Sequence, residues 1–296
     1  MQEVFDTAVI REGVVLLEHG PVTMVLEACL GGRPRTGIAK RAGQHVIALF
    51  EELARELETA KKAVSLLDPP LLDRVHSKAL RRMIGSVKRL GEPDFTPMAA
   101  VAGSLADFAV EAMVQLGADY AIANNGGDIA FRLPSSKREL NVGIISDLSS
   151  GQVTHRLRIG RDSEIRGLAT SGFGGRSLTR GIASAVTVMA ETASLADAAA
   201  TSIANACDAD DPQVERCLAE EIDYDTDIRG LTVTKGIGML TEESVRTALA
   251  RGGNRASGLC VSGMIKGAVL FVSGQMEVRW NGSEPPFSVS ECVPEN

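Results

Sequence analysis

A chain of 296 residues that is 44% hydrophobic and 23% charged has an ordinary globular composition, enough for one large core or two intimately packed halves. A net charge of -7 without any basic block argues against a nucleic-acid partner, and Lys78, Arg81, Arg82, Lys88 and Arg89 read as the wet face of a helix. Five cysteines without a CxxC pair, a start lacking a basic and apolar leader, and no apolar run near the roughly 20 residues that span a bilayer argue against a disulfide scaffold, a zinc site or a membrane partner; a soluble, cytoplasmic protein is expected.

In chain order, residues 22–30 are an extended apolar stretch, read as a strand closed by Gly31-Gly32-Arg33-Pro34. From Gln44 to about Val64 the apolar residues Val46, Leu49, Phe50, Leu53 and Leu57 fall at helical spacing, with Asp68-Pro69-Pro70 as the stop. A second helix is expected over 72–90. Pro97 to Leu116 is a helix rich in alanine and glycine, whose small side chains imply close approach by a ligand or by another subunit, so a homo-oligomer is one expectation. Tyr120–Ala123 reads as a short buried strand, Asn124-Asn125-Gly126-Gly127 as a turn, and Asp128–Arg132 as the returning strand. Strands are also expected over 140–146 and 153–159.

Beyond the glycine-rich segment 170–177, Ser184–Ala190 reads as a strand, and a helix runs from about Ser194, its expected cap, to Cys207. A short helix is expected near 212–220 and another from Glu242 to Ala250, ended by Gly252-Gly253. Ile265–Val272 and Met276–Trp280 complete the strands, and 285–296 reads as a polar tail. Helices followed by meanders, without strict βαβ alternation, predict an α+β (mixed α/β) fold with mostly antiparallel sheets. The expected organisation is a single domain over 1–296 with two intertwined halves, about 1–165 and 166–285.

Three segments carry polar chemistry. In Asn125-Gly126-Gly127-Asp128, paired glycines free backbone N–H groups for an anion or flat ring, although a hairpin turn has the same composition. Thr170-Ser171-Gly172-Phe173-Gly174-Gly175-Arg176-Ser177 suits a phosphate-contacting loop, with Arg176 neutralising charge, or a solvated loop. Asp197 and Thr201 stand four apart on one helix, so their oxygens share a face. That arrangement suits a magnesium ion, or a carboxylate favoured by the helix dipole. His19, His45, His76 and His155 lie outside these segments, and His155 reads as structural. Cys207 has no sequence-near histidine to activate it.

Four motifs in order resemble the ApbE family: Gly126-Gly127-Asp128-Ile129, Ala169-Thr170-Ser171-Gly172, Ala185-Val186-Thr187-Val188, and Ala196-Asp197-Ala198 with Thr201. That family comprises magnesium-dependent FAD:protein FMN transferases. The resemblance covers roughly 95–280. It implies an ApbE-like fold and a nucleotide-type small-molecule ligand, FAD or FMN, beside Asn125, Gly126, Gly127 and Asp128. It also implies Thr170, Ser171, Gly172, Arg176 and Ser177 as further ligand contacts, and Mg2+ on Asp197 and Thr201. The chain departs from the family pattern where His-x-x-Asp-Pro-x-Thr-Gly is usual: residues 173–182 hold no His, Asp or Pro. Ala102-Gly103-Ser104 stands where Lys-Gly is usual. The chain is most similar to the cytoplasmic ApbE-related branch. Two further expectations stay open: a small-molecule enzyme on the same scaffold, in sulfur metabolism with Cys207 in play, and a non-catalytic flavin carrier. No catalytic residue is assigned.

Overall fold

The structure, a computed structural model, describes residues 6–292. The chain divides into two compact units with interleaved segments: Met1–Arg138, Arg166–Ala169 and Glu191–Asp197 form the first, and Glu139–Ile165, Thr170–Ala190 and Ala198–Asn296 the second.

The first unit opens with an antiparallel meander of β1 (Asp6–Arg11), β2 (Val14–His19) and β3 (Val22–Leu30), with a two-residue β4 (Arg33–Pro34) folded onto β3. In β3 the buried residues are Val22, Met24, Leu26 and Ala28, the period of two that places one face of a strand on a core. The helix α1 (Thr36–Ala54) lies over β2 and β3, burying Val46, Ile47, Leu49 and Leu53. It starts before the expected Gln44 and stops short of Val64, where short pieces follow: α2 (Leu57–Ala60) and α3 (Pro69–Asp73). Asp68 begins a helix instead of stopping one. Its carboxylate accepts the Leu71 N–H at 2.9 Å, and Pro69 takes the first turn, where a missing N–H is harmless. The expected 72–90 helix is α4 (Lys78–Lys88), capped by Ser77.

A 3-10 turn at Pro97–Ala100 leads into α5 (Val101–Gln115), the central helix of this unit. The stretch Pro97–Gln115 is long and apolar enough to cross a membrane by length and composition, yet 61% of it is buried. Its small residues are used internally, against α1 and against β5 (Tyr120–Asn125) and β6 (Asp128–Arg132). Within this unit the strand order is β1-β2-β3-β5-β6, all antiparallel.

The second unit contains β7 (Glu139–Ile145) and β8 (Val153–Gly160). Strand β9 (Gly167–Ser171) starts in the first unit, where Gly167 and Leu168 pair with β6. Then come β10 (Ala185–Ala190) and the helix α6 (Ala193–Ala206), whose first residues, through Asp197, belong to the first unit. They are followed by β11 (Val214–Leu218), α7 (Ala219–Ile222), β12 (Thr232–Ile237), α8 (Glu242–Val261), β13 (Gly267–Val272), β14 (Gln275–Trp280) and β15 (Phe287–Glu291). Here β10-β13-β14, β15-β8-β7 and β11-β12 are three antiparallel groups. The mixed helix and antiparallel sheet architecture is the one expected.

Further differences from expectation lie in the second unit. Residues 214–218 form a strand where a helix was expected, because pairing with β12 satisfies a backbone whose short pattern fits either period. Helix α8 runs through Gly252-Gly253 to Val261. Those glycines make room for neighbours: a Cβ at Gly252 would overlap the Cys207 thiol, and one at Gly253 the Glu277 carboxylate. Residues 287–291, in the expected tail, pair with β8.

Candidate functional site

Strands β5 and β6 are joined by a two-residue turn at Gly126-Gly127, with Asn125 paired to Asp128 across its neck. Both glycines have positive φ, 69° and 112°, as the turn that matches strand twist requires. The Gly127 N–H donates to Asn124 Oδ1 at 2.9 Å. This segment is therefore a hairpin, and its chemistry lies at the neck. Asn125 is buried and donates from Nδ2 to the Ala102 carbonyl at 3.2 Å, tying the turn to the first turn of α5.

Asp197 meets the same place from α6. Its Oδ2 accepts the Gly103 N–H at 2.9 Å. The approach depends on Gly103: a Cβ there would overlap the Ala193 carbonyl and press on Asp197. Protein atoms crowd the Asp197 carboxylate, although part of the residue reaches solvent. Desolvation first, and then the charge of Asp128, push its carboxyl well above the ordinary range; N–H groups of Gly103 and Ala102 pull the other way. The charge of Asp128, from a separate motif, is thus felt at Asp197. A desolvated carboxyl within reach of another acid's charge favours its protonated form or a neighbouring cation. Its oxygens suit a hard divalent ion such as Mg2+, which keeps water and phosphate oxygens in its shell. Among the described residues no group of three or more His, Cys, Asp and Glu is placed to hold a metal, so hydroxyl, carbonyl and ligand oxygens would complete such a site.

The other expected residues are distributed differently. Thr201 follows Asp197 by one turn of α6, is half-buried and belongs to the second unit. Also in the second unit, the Thr170 hydroxyl lies 2.9 Å from that of Thr187, and Ser171 and Gly172 are buried, with Gly172 packed on the backbone of 183–185. The tip of the loop differs: Gly174, Gly175, Arg176 and Ser177 are exposed. So Thr170 is half-buried and Ser171 buried, while Arg176 and Ser177 are open to solvent. His155 packs on the Phe271 ring, with Nδ1 2.9 Å from the Thr154 hydroxyl. Cys207 is fully buried, and burial, then Asp208, push its thiol up to about 12, which keeps it protonated and unreactive near neutral pH. Ser194 is not the cap of α6: the Thr192 hydroxyl accepts the Leu195 N–H at 3.3 Å.

One residue beside the site escaped the sequence reading. Asp107, on α5 and buried, accepts the Ala193 N–H at 2.8 Å and the Ser194 N–H at 2.9 Å. A signal for it exists: Ser-Leu-Ala-Asp occurs at 104–107 and again at 194–197.

A family model described as "AbpE bacteria" matches residues 7–278. Among curated relatives, a UPF0280 protein of Methanococcus aeolicus is 35% identical over 175 residues, 57% of this chain and 64% of that protein. Another, of Methanothrix thermoacetophila, is 42% identical over 138 residues, 46% of this chain and 56% of its own length. The matches therefore span under two thirds of these relatives. The solved structure "Flavin Transferase ApbE from Vibrio cholerae" aligns with a TM-score of 0.50 at 12% identity, over 93% of this chain and 98% of that one, a likeness of fold.

Proposed function

The chain belongs to the AbpE bacteria family, and on that premise we propose that it binds a flavin nucleotide, FAD or FMN, at the neck of the Asn125–Asp128 hairpin, with a divalent cation on the Asp197 side. The observation that carries this reading is geometric: the desolvated Asp197 carboxylate takes the Gly103 N–H at 2.9 Å, beside the Ala102 carbonyl that Asn125 of the hairpin neck bonds at 3.2 Å, and within reach of the Asp128 charge. Asp197 would hold Mg2+ with Asp128 beside it and Thr201 as a further ligand. The ion would neutralise phosphate charge. Gly126 and Gly127, exposed and without side chains, leave the turn open to a flat ring, and Arg176 and Ser177 of the second unit are available to phosphate oxygens. The free state of all five cysteines suits the reducing cytoplasm, where we place the protein.

A second reading is a flavin carrier that performs no transfer. It is favoured by residues 173–182, which offer neither an imidazole nor a carboxylate to move a proton. Titration calorimetry of FAD and of FMN, with and without Mg2+, tests the binding reading: no heat from the metal-replete protein with either flavin sinks it. Protein that retains flavin but never transfers FMN to an acceptor would be a carrier.

A further inference from the structure

The repeated Ser-Leu-Ala-Asp forms a reciprocal arrangement within the first unit. In the first copy, Asp107 of α5 binds the amides of Ala193 and Ser194 at the start of α6. In the second copy, Asp197 of α6 binds the amide of Gly103 at the start of α5. Each acid stands four residues after the amide position that its counterpart engages, Gly103 before Asp107 and Ala193 before Asp197. Each acid therefore lies about one turn beyond the amide that the other engages and reaches across to the first turn of the other helix.

The physics requires something of this kind. Each helix start carries unpaired N–H groups and about half a positive charge. Two such ends pressed together repel, and their buried donors need acceptors. Ala100, at the N-cap of α5, supplies no side-chain hydrogen bond; the Val101 N–H donates to the Met98 carbonyl of the preceding 3-10 turn, and Asp197 takes the Gly103 N–H. Gly103 lets the two backbones approach closely enough for both carboxylates to reach.

The two copies differ in what surrounds them. Asp107 is 7% exposed, with one oxygen taken by the Ala193 amide and the other by the Ser194 amide. Asp197 remains partly open and feels the charge of Asp128. We propose that Asp107 is a positioning residue for the site: by clamping the first turn of α6 to α5, it sets where Asp197 stands against Gly103 and Asp128, so that loss of either acid releases both helix starts. Its link to ligand binding rests on the flavin-site reading above, whereas the clasp itself does not.

The test compares Asp107→Ala and Asp107→Asn with Leu17→Ala, a core truncation in the same unit that leaves the clasp intact. Amide exchange is followed at Ala193, Ser194 and Gly103 under strongly native conditions. The clasp predicts that Asp107→Ala lowers protection at least tenfold at Ala193 and Ser194, which it bonds, and also at Gly103, which it does not touch. Asp107→Asn, keeping one acceptor oxygen, should fall between. Gly103 protection in Asp107→Ala equal to that in Leu17→Ala overturns the clasp. In parallel, FAD with Mg2+ should bind Asp107→Ala at least tenfold more weakly than Leu17→Ala, and equal affinities overturn the positioning role. If the unsubstituted protein binds no flavin, the site reading fails, and the exchange data alone decide the clasp.

Discussion

Asp197 is the residue on which most depends, and its protonation gives a direct measurement. Its folded-state carboxyl titrates above the ordinary value of about 3.9, for which desolvation and then Asp128 are responsible. The folded protein therefore holds this proton more tightly than the unfolded chain does, and stability tied to Asp197 falls as pH rises. It is fully present below the unfolded pKa and lost through the folded one. In metal-free protein, the melting temperature of the parent minus that of Asp197→Asn should decline as pH rises from about 4, then level off. A flat difference would mean that Asp197 titrates normally. Saturating Mg2+ should remove the decline in the parent if the ion sits at this carboxylate. Gly103 is the second residue to test. A methyl group there overlaps the Ala193 carbonyl, backbone that cannot swing aside, so Gly103→Ala should destabilise by about 1–3 kcal/mol by overpacking, read from the urea midpoint. An unchanged midpoint would mean that the helix starts have slack.

Elements were legible where the chain is strongly periodic. Strands β3, β5, β6, β10 and β13 and helices α5 and α6 stand close to their expected places, because each carries either a buried run or a small-residue face. The hairpin at Gly126-Gly127 was legible as a turn and ambiguous as a site, since the same glycines serve both. What the pattern concealed was tertiary. Strand β11 shows only a five-residue window, and its partner β12 lies beyond the short helix α7 and a polar loop. Asp107 sits in a helix whose apolar neighbours hide it, and its role depends on Ala193 and Ser194, far along the chain. Glycine in α8 reads as a stop, but Gly252 is there to admit Cys207. Gly252→Ala should therefore destabilise the second unit, and adding Cys207→Ala should recover part of the loss in a double-mutant cycle, because the clash is with the sulfur. Additive losses would place the strain elsewhere. The same burial predicts that a thiol reagent leaves Cys207 unmodified in the native protein and reaches it only on unfolding.

At the scale of the whole molecule, the chain assigns its acids, Asp128 and Asp197, to one unit and its open hydroxyl and guanidinium groups, Ser177 and Arg176, to the other. Each set is tested on its own unit: a flavin nucleotide stabilises the unit whose groups it engages. A ligand binding only the native state stabilises by about 2.7 kcal/mol at one hundred times its Kd, a rise of roughly 5–10 °C for a protein of this size. The expected outcome is that FAD with Mg2+ raises the melting of both units, followed separately by the exchange of amides in β3 and in β13. Asp197→Asn should abolish the magnesium-dependent part of the rise, and Arg176→Ala should reduce it while leaving the unliganded melting unchanged, since Arg176 is exposed. Stabilisation confined to the β3 amides would restrict the ligand to the first unit and remove Arg176 and Ser177 from the site. Equal shifts with and without the metal would keep the flavin and discard the ion, leaving the Asp197 carboxyl to its protonated form.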